Sequence, residues 1–358
     1  MSWISQAISA VTGPFKRRPS QAQAAAQAAA RRPRTLQPDS TQEINIKFIF
    51  SLTNPGIIRP DQAIEALGDE KAAEIAQLVL EHFRDKRPEM ASFPSLATQV
   101  IDVAEHPDAD LTRLSRLIDQ DPAISMKVLQ TANSAMYRRE REVTSVRLAI
   151  TQLGLSLVAN VAVGVACRSL FDVETRLEHD LFPTRWTEQF QHSMTTAFAA
   201  SNCSLQRRAG TPEQAFLGGM FHDIGKSLAL RSLASLMLAG KIGPISEERI
   251  DRVLEKVHVE VGSLALQQWE LPSFLYSTCL HHHDDKVPVG SEYTDLHTIR
   301  IVSGLNVLRI RTNFDEGLVR EVRRSAMALG MTEQQLRALN TQVREYAEQV
   351  AEMFTLKG

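Results

Sequence analysis

Phe221-His222-Asp223-Ile224-Gly225-Lys226 is the stretch on which the reading of this chain turns. It sets an imidazole beside a carboxylate directly after a helix. That helix is announced by Thr211-Pro212-Glu213-Gln214, which has the form of a capping box with Gln at the third helical position. Upstream, the helical signals continue. Asp110 precedes Leu111, Leu114, Leu117 and Ile118, which share one helical face. Asp121-Pro122 reads as an N-cap followed by Pro at the first helical position, with Ile124, Val128 and Leu129 inward. Leu148 to Cys167 carries no charge and is long enough to span a bilayer. Thr151, Gln152, Gly154, Ser156, Asn160 and Gly164 dilute it, and Leu153-Gly154-Leu155 reads as a break between two buried helices. Sustained two-residue alternation and Asn-Gly or Asp-Gly hairpin signals are missing, so the expected fold class is all-α.

Six of the ten histidines fall into a series around the same stretch. His192 follows Glu188 by four residues, which puts the two on one helical face. His222-Asp223 comes next, then His258 in a helical run ending near Trp269, then His281-His282-His283-Asp284-Asp285. Neutral imidazole nitrogen and carboxylate oxygen suit a divalent metal such as iron, manganese or zinc. A metal held there would make a bound water acidic enough to attack a phosphodiester. Taken singly, each position has a plainer account: His192 or His258 as a packed core ring, and the triple His as a solvated helix end favoured by the dipole.

With 358 residues, 43% of them hydrophobic, the chain has material for one large domain or two small ones. Cys167, Cys203 and Cys279 are too few and too far apart for a zinc ribbon or a disulfide scaffold, and they fit a reducing compartment. Net charge is −2, unevenly spread. Residues 1–38 hold Lys16, Arg17, Arg18, Arg31, Arg32 and Arg34 and no acid, which leaves 34 basic against 42 acidic side chains in the rest. Direct DNA binding by so acidic a body is not expected. Residues 1–42 read as a disordered basic tail with an Ala/Gln tract. Trp3, Ile4, Ile8, Val11 and Phe15 fall on one side of a helical wheel, so residues 1–18 are also a candidate contact to a membrane surface or a partner. An organellar transit peptide is a third reading, and a secretory signal is excluded by the lack of an apolar core. Residues 43–90 read as a helical extension, with Ala63, Ile64, Leu67, Ile75, Leu78, Val79 and Phe83 at helical spacing and a turn at Asn54-Pro55-Gly56.

His222-Asp223-Ile224-Gly225-Lys226 resembles the signature of the HD superfamily of metal-dependent phosphohydrolases. Upstream, Phe93-Pro94-Ser95-Leu96, Ile118-Asp119-Gln120-Asp121-Pro122-Ala123, Ala132-Asn133-Ser134-Ala135-Met136-Tyr137, Val143-Thr144-Ser145-Val146 and Ala149-Ile150-Thr151-Gln152-Leu153-Gly154 follow in an order that resembles the HDOD family, the HD-related output domain of bacterial signalling proteins. The resemblance covers residues 91–285, with 286–358 as a C-terminal helical continuation. It implies an all-α fold in which a helical N-terminal bundle packs on an HD-type helical bundle.

For function, the resemblance implies a cytoplasmic signal-transduction protein whose HDOD domain is a largely non-catalytic binding or scaffold module, with signalling proteins as partners. The alternative left open is a metal-dependent phosphohydrolase acting on a cyclic dinucleotide or other nucleotide second messenger. Glu188, His192, His222, Asp223, His258, His282 and His283 match the order and spacing of the metal ligands in the related HD-GYP family, with Lys226 a candidate phosphate contact. Two departures weigh against catalysis. The terminal Asp of that pattern is replaced by Asn306, and Asp284-Asp285-Lys286-Val287-Pro288 stands where a Gly-Tyr-Pro loop would follow the His pair.

Overall fold

The computed structural model describes residues 44–52, 70–86, 92–105, 110–134, 137–173, 175–310 and 316–354. The basic tail, the Asn54-Pro55-Gly56 turn and the positions Ala63, Ile64 and Leu67 lie outside the described residues. Among the described residues every regular element is helical. In chain order the α-helices are α1 (Ile46–Leu52), α2 (Glu70–Lys86), α3 (Ser95–Glu105), α4 (Leu111–Ile118), α5 (Pro122–Ala132), α6 (Val146–Leu153), α7 (Leu155–Ala166) and α8 (Arg176–Leu181). They continue as α9 (Arg185–Arg207), α10 (Pro212–Phe221), α11 (Ile224–Leu238), α12 (Glu247–Gln268), α13 (Ser273–His281), α14 (Thr294–Ile310), α15 (Glu316–Ala328) and α16 (Glu333–Phe354).

Helices α3 to α7 form an N-terminal bundle, and α9 to α14 form the body that carries the histidines. The local signals account for most of the boundaries. The Asp110 carboxylate accepts from Thr112 N, and Asp121 accepts from Ala123 N and Ile124 N ahead of Pro122. The uncharged run divides at Gly154, whose φ of +87° ends α6 and starts α7, a conformation an L side chain resists. No helix among the described residues is long and apolar enough to cross a membrane.

Two details differ from the sequence expectation. Thr211 does precede α10, but its side chain makes no cap. Its N–H donates instead to the Asp295 carboxylate at 3.0–3.1 Å, so an acid arriving from α14 takes the role expected of Gln214. Leu78 is 39% exposed, because α2 turns Ile75, Val79 and Phe83 inward and leaves Leu78 on the outer side. Helices α1 and α2 dock at separate places. Helix α1 lies on α15 and α16, where Asn340 Nδ2 and an Arg344 guanidinium nitrogen both donate to Leu52 O. Helix α2 lies on α11 and α12, with Arg84 ion-paired to Glu260. Each inward side chain of α2 contributes about 1.5–3 kcal/mol by burial, which outweighs a surface ion pair of about 0.2–1 kcal/mol.

Glycines let the helices that carry the site come close. A Cβ on Gly225 would lie 1.8 Å from His258 O, and one on Gly219 would lie 2.8 Å from the Ala197 backbone. Gly225 thus brings the start of α11 against α12, and Gly219 brings α10 against α9.

Candidate metal centre

His222 caps the C-terminus of α10, and Asp223 sits at the N-cap position of α11. An Asp in that position ordinarily accepts from a backbone N–H of the first turn, a bond worth about 1 kcal/mol. Asp223 makes no such bond. Its carboxylate turns to the side chains around it: Oδ1 lies 3.2 Å from His282 Nε2 and 3.5 Å from His258 Nε2. Oδ2 lies 2.9 Å from Lys226 Nζ and 3.6 Å from both His192 Nε2 and His222 Nε2. A local stabilising contact has been given up for a site.

The ring orientations are held by the opposite nitrogens. His222 Nδ1 donates to Gly219 O at 2.8 Å, and His282 Nδ1 donates to Cys279 O at 2.7 Å. His258 Nδ1 is shared between Leu254 O and Glu255 O at 3.0 and 3.1 Å. A carbonyl only accepts, so each of these rings carries its proton on Nδ1 and leaves Nε2 as a lone-pair donor. His283 Nδ1 meets the Glu321 carboxylate at 3.3 Å, the carboxylate–histidine pairing that commonly supports a metal ligand. His258 Nε2 is buried and has no hydrogen-bond partner among the described residues.

Two sets of donor atoms lie within 4.8 Å of one another: Asp223, His258, His282 and His283, and separately His192, His222 and Asp223. Asp223 belongs to both. The orphaned His258 nitrogen and the mixed imidazole–carboxylate donors fit a divalent metal, with iron, manganese and zinc all compatible with this chemistry. A cavity of about 260 Å³ opens on His222, Asp223, His282 and His283 and is walled further by Lys226 and Arg300.

Electrostatics keep the rings ready to ligate. Burial lowers the pKa of His192 to about 3 and those of His222, His258 and His282 to about 4, so all four are neutral at pH 7. Burial pushes Asp223 upward, but the Lys226 charge outweighs it and holds the carboxyl well below its ordinary range. Burial likewise pulls His283 down, and the Glu321 carboxylate overrides it and raises the pKa.

Of the residues singled out from sequence, His192, His222, Asp223, His258, His282 and His283 converge. Glu188 does not join either set; it is exposed, one turn before His192 on α9. Lys226 is ion-paired to Asp223 and, at 3.2 Å, to Glu255. Helix α14 corrects the expectation for Asn306. The side chain it presents to the Nε2 atoms of the centre is Ser303, whose Oγ lies 3.0 Å from His222 Nε2 and 3.3 Å from His192 Nε2. Asn306, one turn on, meets the far nitrogen of His192. Sequence reasoning missed Ser303, Glu255 and Glu321. Only Glu255 left a signal, its position three residues before His258 on one helical face.

An all-α body with a His-Asp pair at a helix junction, ringed by histidines from three further helices, defines an HD-type domain. The family model of the HDOD domain matches residues 90–285, and the chain belongs to that family. An HDOD domain protein of unknown function from Geobacter sulfurreducens superposes with a TM-score of 0.59 at 22% identity, over 79% of this chain and 99% of that one. A provisionally designated metal-dependent phosphohydrolase from Shewanella amazonensis SB2B gives a TM-score of 0.55 at 20% identity, over 78% and 99%. These likenesses speak to fold alone. An uncharacterized protein of Treponema pallidum (strain Nichols) is 25% identical over 211 residues, which are 56% of this chain and 39% of that protein.

Proposed function

We propose that this chain is a signal-transduction module whose HDOD centre binds a metal and an anionic ligand and works by occupancy rather than by turnover. The observation that carries this reading is that, among the described residues, Asp223 is the only carboxylate in either donor set and is already ion-paired to Lys226. A two-metal hydrolytic clamp holds dications about 3.5–4 Å apart, which demands anionic ligands to offset their repulsion. Ser303 and Asn306, both neutral, stand on the helix where a further carboxylate would serve. The absence of a Gly-Tyr-Pro sequence after His283 points the same way. Signal would pass to protein partners through the helix surfaces around the centre.

A second reading, a metal-dependent phosphohydrolase, is favoured by one observation: six candidate ligands do meet, with His258 Nε2 buried and unpartnered. The two readings part in a single assay. Full-length protein is incubated with cyclic di-GMP and Mn²⁺ or Fe²⁺ under reducing conditions, and the nucleotides are separated by chromatography. The binding module leaves the substrate intact. Robust hydrolysis that disappears in Asp223→Ala would establish the enzyme instead.

A further inference from the structure

His192 differs from the other rings of the centre in the direction of its hydrogen bonds. An Arg309 guanidinium nitrogen donates to Asn306 Oδ1 at 3.2 Å. A guanidinium has no acceptor, so this contact fixes which end of the amide is oxygen. Asn306 Nδ2 is therefore the atom 3.1 Å from His192 Nδ1, and it also reaches His192 O at 3.4 Å. An amide NH₂ only donates, so His192 Nδ1 accepts and the ring proton resides on Nε2.

The other end of the chain of contacts is compatible with that assignment. Gly219 O obliges His222 to carry its proton on Nδ1, so His222 Nε2 is an acceptor. His192 Nε2 lies 3.3 Å from it, and the neighbouring Ser303 Oγ and Asp223 Oδ2 can accept as well. The bonds run one way, from Arg309 through Asn306, His192 and His222 to Gly219 O.

We infer that Arg309 and Asn306 lock His192 as an Nε2–H donor, so that the centre takes one divalent metal, at Asp223, His258, His282 and His283, and not a second at His192 and His222. Coordination by His192 Nε2 requires its proton to move to Nδ1, where it would face the NH₂ of Asn306. Turning that amide over sets its NH₂ against Arg309 instead. Either arrangement brings two donors together in a buried place and leaves a hydrogen bond unmade. His258, His282 and His283 face no such obstacle, because carbonyls or a carboxylate hold their Nδ1 protons. Asn306 and Arg309 are positioning residues here, and the inference stands whether or not the centre turns over a substrate.

Two readouts test it without an activity assay. Long-range ¹⁵N–¹H spectra of the metal-stripped full chain report ring tautomers, with His192→Gln identifying the His192 signals. Manganese content is measured by plasma mass spectrometry after loading and gel filtration. The wild type is expected to show His192 as Nε2–H and to retain one Mn²⁺ per chain. Asn306→Asp supplies a group that only accepts, paired with Arg309; it is expected to move the proton to Nδ1 and raise the content to two. Arg309→Met frees the amide to turn and is expected to give a mixture of both tautomers, which keeps the test open if Asn306→Asp does not fold. His192 found as Nδ1–H in the wild type, two Mn²⁺ per wild-type chain, or an unchanged tautomer in both variants would overturn the inference.

Discussion

Lys226 Nζ stands 2.9 Å from Asp223 Oδ2, with the two side chains 12% and 4% exposed. The lysine also reaches Glu255 at 3.2 Å, and it supplies the positive charge that the buried Asp223 requires. Lys226→Met removes that charge and keeps most of the volume. Breaking a buried pair from one side costs about 3–5 kcal/mol. Urea denaturation in the presence of a chelator should show a loss of that order, and Mn²⁺ should restore more stability to the variant than to the wild type. Equal stability of the two proteins would mean that the lysine does not support Asp223.

Gly225→Ala tests the helix crossing beneath the centre. The added Cβ would meet His258 O at 1.8 Å and Gly262 N at 2.6 Å, both backbone atoms that cannot swing aside. A destabilisation of about 3 kcal/mol is expected, at the upper end of overpacking costs. Gly240→Ala is the control: nothing lies within 4 Å and only the φ of +69° opposes it, so about 1–2 kcal/mol is expected. A reversed order in chemical denaturation would contradict the close approach of α11 and α12.

Acid should destabilise the metal-stripped protein well before its carboxylates titrate. His222, His258 and His282 have folded pKa values near 4, against 6.5 unfolded. Between those values the unfolded chain binds more protons, so stability is full above about pH 6.5 and falls as pH drops towards 4. One ring shifted that far is worth about 3 kcal/mol, and because the rings share one cavity their losses merge rather than add. Thermal melts across this range should show Tm falling steadily from pH 6.5 downward. A flat Tm to pH 4.5 would indicate rings that are not buried neutral.

Glu188→Ala should leave metal affinity within about twofold of wild type. Glu188 is exposed and stands in neither donor set. Isothermal titration with Mn²⁺ checks it, and a tenfold loss would bring Glu188 back as a ligand. The same titration on His258→Gln should show a loss of at least tenfold if the proposed ligand set holds the metal, since the variant removes one of its four members.

The residues that sequence placed correctly were those governed by neighbours a few positions away. Asp110 and Asp121 cap the helices they precede, and Gly154 divides the uncharged run. Capping and left-handed turns are decided within one helical turn, so residue type and spacing suffice to find them. The Thr211 box failed for the complementary reason. Asp295, 84 residues away in sequence, offered a charged acceptor that the local Gln214 could not match.

Residue type and spacing were thus enough to establish a helical chain, the starts of several helices, and an ordered series of imidazoles with one adjacent carboxylate available for a metal. Which of them meet was settled by the packing of distant helices. It left Glu188 outside, set Ser303 against His222, and drew Glu255 and Glu321 to Lys226 and His283. It also assigned the ring proton of His192 through an Asn 114 residues further along the chain. Spacing tells which face of its own helix a residue occupies. The direction in which that face points is settled by packing between helices, and the position of a proton by donors and acceptors that packing brings within about 3 Å.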